Sequence, residues 1–119
     1  QRLQLPARLD YLQANRYHGI SGSEITWAKA PEFDLSGQTV VVLNDILDEG
    51  ITLAEVVQYC QKAGEKQVLT AVLADKDNGL AKPLVADVVG LTVPNRYVFG
   101  CGMDVYGWWR NLPEIRALK

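Results

Sequence analysis

Apolar runs separated by polar turns divide this chain into alternating strand and helix segments. Residues 39–43, 67–73 and 85–93 each carry a short apolar run rich in Val and Leu, which is typical of strands buried in a sheet. Residues 53–62 place their apolar side chains on one helical face, and Gly64 follows as a cap. Strand, helix and strand in this order predict a right-handed parallel crossover, so the pattern favours an α/β fold.

Weaker patterns flank this central unit. Residues 8–14 alternate apolar and polar positions, which predicts a strand. Residues 16–31 are polar, and Ile25 and Trp27 within them indicate a short extended arm. Residues 77–79 form a predicted turn, residues 97–99 a further strand, and a Gly-containing segment closes that strand. The tail carries two adjacent tryptophans, which we interpret as packing residues.

Composition limits the classes of function. With 119 residues the chain forms a single domain, 1–119, with a modest core, and its 48% hydrophobic and 22% charged residues are ordinary for a globular protein. The net charge of −2 gives no electrostatic reason to expect nucleic acid or an anionic membrane as a partner. No apolar run is long enough to span a bilayer. Cys60 and Cys101 lack metal-ligand spacing, Cys60 fits a core position, and a reducing cytoplasm is the expected location.

The segment between the first buried strand and the helix carries the chemistry. Asn44, Asp45, Asp48 and Glu49 follow the apolar run, and Gly50 then opens the helix. The N-terminus of a helix attracts phosphate, because its first N–H groups are unpaired and its dipole is positive there. Carboxylates can accept hydrogen bonds from ribose hydroxyls or hold Mg²⁺ through water. The pattern therefore indicates a sugar-phosphate site; the alternative is an ordinary strand-turn-helix with a solvated acidic turn.

This segment resembles the diphosphoribose-binding signature of the type I phosphoribosyltransferases. That signature is an apolar run, two acids, two apolar residues and Asp-x-Gly-x-Thr, which Asp48, Gly50 and Thr52 match in register. One departure is Asn44, where the family has an acid; an amide can bond a ribose hydroxyl but adds no charge for Mg²⁺. Further elements resemble the hypoxanthine-guanine members in their order along the chain: Arg16-Tyr17, Lys76, Tyr97-Val98, Gly100-x-Gly-x-Asp104 and Arg110.

The resemblance implies a parallel-sheet type I phosphoribosyltransferase fold, truncated at the N-terminus. The chain begins at Gln1 without Met and is similar to the C-terminal two-thirds of such an enzyme. The early strands and the loop that grips pyrophosphate in the family would then lie elsewhere, and we expect this piece alone to be inactive. The resemblance also implies a mobile loop at about residues 19–29, which closes to exclude water, and a homodimer or homotetramer.

The implied reaction is a step of purine salvage. A phosphoribosyl group moves from 5-phosphoribosyl 1-diphosphate to a 6-oxopurine, hypoxanthine or guanine, and the products are IMP or GMP and pyrophosphate. The cofactor implied is Mg²⁺. The resemblance assigns these roles: Asp48 as general base; Asn44 and Asp45 on the ribose; Glu49, Gly50, Ile51 and Thr52 around the 5′-phosphate; Arg110 on the diphosphate; Lys76, Tyr97 and Val98 on the purine; Arg16 and Tyr17 at the loop; and Asp104 on the metal, with Asp45 acting through water.

Each assignment has a plainer alternative. Lys76 could be a solvated lysine at a strand end, Tyr97 could pack in the core, and Asp104 could form a local ion pair with Arg110. His18 fits a surface loop better than a site. At the level of the protein, the alternatives are a phosphoribosyltransferase for xanthine or a pyrimidine, and a non-catalytic regulator that keeps the fold. Asn44 is the residue that favours the regulator.

Overall fold

A computed structural model describes residues 2, 4–19 and 22–119 of the chain. Its elements in order are β1 (Gln13–Gly19), β2 (Gly22–Lys29), β3 (Thr39–Leu47), α1 (Ile51–Lys62), β4 (Gln67–Asp77), β5 (Val88–Pro94), β6 (Val98–Phe99) and β7 (Arg116–Ala117). Strands β3, β4 and β5 form a three-stranded parallel sheet in that order. The predicted α/β crossover is therefore confirmed, with α1 joining β3 to β4.

The parallel strands extend further than their apolar runs. Strand β3 continues through Asn44 to Leu47, because Asn44 pairs with Val72 and Leu47 with Asp75 in the ladder. Strand β4 likewise runs to Asp77. Polar residues can occupy these positions because they lie at the carboxyl ends of the strands, where the ladder still satisfies the backbone. The predicted strand ends at 43 and 73 were therefore too early. Asn44, Asp45 and Lys76 lie on strands, whereas residues 48–50 form the turn into α1.

Helix α1 confirms the prediction at its C-terminal end and begins two residues earlier than expected, at Ile51. Its end is set by Gly64, whose φ of 81° is the left-handed conformation that glycine adopts without strain. Leu53, Val56 and Cys60 form its buried face. The predicted core position of Cys60 is confirmed. Burial raises the pKa of its thiol, and the charge of Glu65 raises it further.

Two hydrophobic clusters pack the sheet against its neighbouring segments. Beneath α1, Leu47, Leu53, Val72 and Ala86 pack together. Towards the C-terminal segment, Ala74 and Val93 pack against Val98 and Met103. The second cluster fastens the antiparallel pair β6–β7, whose strand β7 the sequence patterns did not predict, to the carboxyl end of the sheet.

The predicted strand over residues 8–14 is wrong except at its last two positions, which begin β1. The carboxylate of Asp10 accepts hydrogen bonds from the backbone N–H groups of Tyr11, Glu32 and Phe33, so this segment is tied to a turn instead of a ladder. The alternating apolar side chains also bury little, since Leu9 is 86% exposed. Side-chain hydrogen bonds from Asp compete in this way with regular structure.

The arm predicted around residues 16–31 is an antiparallel hairpin of β1 and β2. Residues 22–29, part of the expected loop, form strand β2; residues 20 and 21 of that loop lie outside the described residues. Trp27 of β2 packs against Tyr59 of α1, with ring centroids 4.8 Å apart. The base of the arm thus rests on the helix, and closure of the arm stays a prediction.

Within the part of the chain that the structure describes, no helix has the length and apolar character needed to cross a membrane.

Candidate functional site

The turn from β3 into α1 forms a backbone cradle. Gly50 has φ 81°, and a Cβ placed on it would stand 3.3 Å from Leu47 Cδ1 and 3.3 Å from Pro83 Cδ. The positive φ therefore favours glycine, and a larger residue would also have to displace Leu47 and Pro83 slightly. Helix α1 starts at the next residue, and no side chain of the described residues caps its N-terminus. Its first N–H groups are therefore not occupied by a side-chain cap, and the binding of a phosphate there stays a prediction.

A cleft of about 510 Å³ opens above this turn. It is lined by residues 44–53, so the structure brings together six of the residues predicted for the ribose and phosphate with the predicted general base. They are Asn44, Asp45, Asp48, Glu49, Gly50, Ile51 and Thr52. This grouping follows from their closeness in sequence: a strand end, a turn and a helix start necessarily surround one point.

The side chains of Asn44 and Asp45 each accept a hydrogen bond from the backbone N–H of the next residue. Asn44 Oδ1 accepts a hydrogen bond of 2.9 Å from the Asp45 N–H, and Asp45 Oδ1 accepts one of 2.8 Å from the Ile46 N–H. Asp45 is exposed and Asn44 half-buried. Each has a second polar atom that these bonds do not use, so both side chains can still meet a ribose hydroxyl.

Lys76 and Asp48 form an ion pair at the carboxyl edge of the sheet. Lys76 Nζ lies 2.5 Å from Asp48 Oδ2, and the exposed fractions of the two side chains are 11% and 47%. The plainer interpretation of Lys76 as a solvated strand-end lysine is therefore wrong, because its side chain is largely buried and directed at Asp48. Asn78 also donates to the backbone carbonyl of Asp48, at 3.1 Å.

Asn78 and Lys82 are site residues that the sequence patterns missed. Asn78 was assigned only to a turn, and Lys82 carried no assignment. Lys82 Nζ donates to Asp75 Oδ1, to the Leu47 carbonyl and to the Lys76 carbonyl. No motif in the sequence could have found these contacts, since two of the three acceptors are backbone carbonyls, and one of them belongs to β3, 35 residues earlier in the chain.

The purine-directed residues of the C-terminal segment are placed beside the sheet. Val98, the first residue of β6, is buried in one cluster with Ala74 and Val93. Tyr97 is half exposed, and its hydroxyl donates to the Asp104 carbonyl at 3.0 Å. Tyr97 is therefore not a core residue, and its ring is accessible to a ligand.

Asp104 and Arg110 form the local ion pair that was the alternative to their predicted roles. Arg110 Nη2 lies 2.8 Å from Asp104 Oδ1, and Asp104 Oδ2 accepts from the Gly107 N–H at 2.7 Å. Arg110 also donates to the Gly102 carbonyl, at 2.8 Å. Both carboxylate oxygens of Asp104 are thus engaged within the segment, and each keeps one lone pair that these contacts do not use.

A metal site preformed by protein ligands is not found in the described residues: no three His, Cys, Asp or Glu side chains there are grouped to hold an ion. Of the two residues predicted to act on a metal, Asp45 is exposed, whereas Asp104 is bound to Arg110 and to the Gly107 N–H. Their role on a metal stays a prediction.

The side chains of Arg16 and Tyr17 lie outside the described part of the chain, although their backbone belongs to β1. Their predicted role at the arm stays a prediction.

The model of the phosphoribosyl transferase domain family matches residues 1–106 of this chain. A hypoxanthine-guanine phosphoribosyltransferase of Bacillus subtilis is 31% identical over 113 residues, which are 93% of this chain and 63% of that protein. A hypoxanthine-guanine-xanthine phosphoribosyltransferase of Tritrichomonas foetus is 34% identical over 112 residues, 92% of this chain and 61% of its own length.

Solved structures agree in fold. A hypoxanthine phosphoribosyltransferase of Trypanosoma cruzi, complexed with the product IMP, superposes with a TM-score of 0.87 and 28% identity, over 98% of this chain and 59% of its own. The enzyme of Staphylococcus aureus gives 0.83 and 30% identity, over 91% and 60%. The chain thus spans about 60% of the length of these relatives. By its matched residues and its fold, the chain belongs to the phosphoribosyl transferase domain family.

Proposed function

We propose that this chain carries the nucleotide-binding half of a purine-salvage enzyme, a 6-oxopurine phosphoribosyltransferase for hypoxanthine or guanine. The observation that carries the proposal is the position of the Lys76–Asp48 pair directly beside the cradle at Gly50. An ammonium, a carboxylate and a helix N-terminus in one place match three groups of the substrates: the 6-oxo group and the N7 proton of the free purine, and the 5′-phosphate of the ribose.

The reaction forms a bond between N9 of the purine and C1 of the ribose, while the bond from C1 to the diphosphate oxygen breaks. The electron pair leaves with pyrophosphate. Asp48 accepts the proton from N7, which makes the purine a better nucleophile. The N–H groups at the start of α1, with the Thr52 hydroxyl, hold the 5′-phosphate. These contacts fix C1 of the ribose relative to the base, and orientation of this kind supplies much of a transfer rate.

The purine contacts and the contacts to the metal and the diphosphate complete the proposed site. Lys76 donates to the 6-oxygen, and the Tyr97 ring stacks on the base with the Val98 backbone at its edge. Asp45 and Asp104 are the residues that would hold Mg²⁺, and the ion would supply positive charge to neutralise the leaving group. Arg110 would follow Asp104 to the diphosphate once their ion pair opens. We propose that the assembly is a homodimer or homotetramer in the cytoplasm.

Calorimetry with three ligands tests the proposal. The chain should bind IMP more tightly than AMP, since only IMP offers a 6-oxygen to Lys76, and it should bind ribose 5-phosphate more weakly than either. Equal affinity for IMP and AMP would contradict the role of Lys76. Failure of all three to bind would contradict the phosphate cradle itself.

A regulator without activity remains the rival that Asn44 favours. An assay of pyrophosphate release with hypoxanthine and 5-phosphoribosyl 1-diphosphate separates the two in the protein that contains this chain. Restoring the acid by Asn44→Glu should change the rate by less than about tenfold if the amide already serves the ribose hydroxyl.

A further inference from the structure

Lys82 lies in the connection between β4 and β5, and its side chain turns back under the carboxyl edge of the sheet. The side chain is only 14% exposed. Its Nζ donates to Asp75 Oδ1 at 2.5 Å, to the Lys76 carbonyl at 2.6 Å and to the Leu47 carbonyl at 3.1 Å. An ammonium has three N–H donors, so every donor of Lys82 is used.

The two backbone acceptors lie next to the proposed chemistry. The Leu47 carbonyl belongs to the peptide unit that contains the nitrogen of Asp48. The second carbonyl belongs to Lys76 itself. Leu47 and Asp75 are partners in the parallel ladder, so Lys82 bonds across the ends of β3 and β4 at the last place where the two strands pair. Beyond this point, the ladder no longer fixes the distance between the strands.

The stem of Lys82 has a separate role in packing. Its Cβ lies 3.6 Å from the position that a Cβ on Gly50 would take, and Pro83 lies beside it. The stem therefore supports the phosphate cradle, while the ammonium ties the strand ends. A substitution that keeps the stem and removes the charge separates the two effects.

We propose that Lys82 is a positioning residue that fixes Asp48 relative to Lys76 and so sets the preference for 6-oxopurines. The proposal rests on the proposed function of the same site. Lys82 contacts neither the purine nor the phosphate in this arrangement. It acts by holding the two carbonyls, so that the backbones from which the Lys76 and Asp48 side chains extend keep a fixed separation when a 6-oxopurine replaces the direct contact between the two side chains.

The test compares affinities for IMP, AMP and ribose 5-phosphate, measured by calorimetry on the whole chain and its variants. Lys82→Met keeps the stem and removes all three donors. We expect the preference for IMP over AMP to fall on the order of tenfold, while the affinity for ribose 5-phosphate changes less than about threefold. Lys66→Met, at an exposed lysine away from the site, should change neither.

Asp75→Asn provides the matched variant within the cluster. It removes the negative charge but keeps an acceptor, and it leaves both carbonyl contacts of Lys82 in place. The preference for IMP should then stay within about twofold of the parent. A loss as large as that of Lys82→Met would show that the Lys82–Asp75 ion pair, and not the clamp on the strand ends, sets the preference, and would overturn the proposal.

Lys82→Met could unfold, because it leaves Asp75 without its cation. Lys82→Arg then decides: it keeps the charge, but a planar guanidinium cannot direct donors from one nitrogen to three acceptors, so the IMP preference should still fall at least about threefold. An undiminished preference in a folded Lys82 variant would overturn the proposal. If the parent chain itself does not distinguish IMP from AMP, the proposed function fails, and with it the site that Lys82 is proposed to position.

Discussion

Lys76 and Asp48, the two residues proposed to recognise the purine, bind each other in the structure, with 2.5 Å between Lys76 Nζ and Asp48 Oδ2. A purine that bridges them must replace this charge-assisted hydrogen bond with two of its own. The pair therefore disfavours ligands that offer only one of the two contacts. This relationship makes base selectivity, more than affinity, the property that substitutions here should change.

Asp48→Asn should impair chemistry more than binding. The amide has nearly the same shape and keeps one acceptor for Lys76, but it cannot take the N7 proton. When the variant is compared with a parent protein that has measurable transferase activity, we expect kcat to fall on the order of 10²–10⁴-fold. The affinity for the diphosphate substrate should change little. Steady-state kinetics with Asp77→Asn as control measures this. Activity within about threefold of the parent would remove Asp48 from the role of base.

Lys76→Ala should narrow the difference between 6-oxo and 6-amino purines. The variant removes the donor to the 6-oxygen and leaves the phosphate cradle untouched. KM for hypoxanthine and guanine should rise on the order of tenfold, while binding of ribose 5-phosphate stays constant. Competition assays with hypoxanthine and adenine measure the preference, with Lys66→Ala as the control. An unchanged preference would mean that Lys76 serves only to pair Asp48.

The cradle could be predicted from the sequence because it is local. Gly50 and Thr52 follow a strand and open a helix, so backbone geometry alone places their N–H groups around one point. That Lys76 and Asp48 lie near each other could also be predicted, because the carboxyl ends of neighbouring parallel strands meet at one edge of the sheet. The contacts of Lys82 could not be predicted. They depend on how the β4–β5 connection folds back, and two of their acceptors are backbone carbonyls, which every residue type has.

For the segment around and after β6, the sequence predicted which residues lie near one another but not which contacts their side chains make. The strand predicted over residues 97–99 begins at Val98, so Tyr97 lies just before β6. Spacing brought Asp104 and Arg110 into one segment. It could not decide whether these two charges face a ligand or each other. That choice depends on backbone turns such as the one in which the Gly107 N–H bonds Asp104. The strand expected at residues 8–14 failed for a similar reason, because the three backbone bonds to Asp10 are not visible as a pattern.

Gly50→Ala should weaken both stability and phosphate binding. A non-glycine residue at φ 81° is strained by about 1–2 kcal/mol, and its Cβ would press on Leu47 and Pro83 at 3.3 Å. Gly37→Ala is the matched control: it also has positive φ, but a Cβ there meets nothing within 4 Å. Urea unfolding should show a larger loss for Gly50→Ala. Calorimetry should show weaker ribose 5-phosphate binding only for Gly50→Ala; equal effects of the two variants would contradict a cradle of fitted shape.

Asp87 should make part of the stability depend on pH in the acidic range. Its carboxylate accepts hydrogen bonds from the buried Thr70, from the backbone N–H at 2.7 Å and from the hydroxyl at 3.0 Å. The backbone bond first, and then the hydroxyl, lower the pKa of Asp87 from its ordinary value of 3.8. A lowered folded-state pKa stabilises the protein fully above the unfolded-state value, and this contribution disappears as the pH falls through the folded-state value.

The acid dependence can be isolated with Asp87→Asn. The amide still accepts from Thr70 but carries no charge, so the variant should unfold at lower urea than the parent at about pH 7. The difference between the two urea midpoints should shrink as the pH falls from about 5 to about 3, because the protonated carboxyl of the parent and the amide of the variant then offer similar acceptors. Glu55→Gln, on the exposed side of α1, should show no such convergence. A constant difference across this pH range would show that the Asp87–Thr70 contact stabilises the start of β5 without linkage to protons.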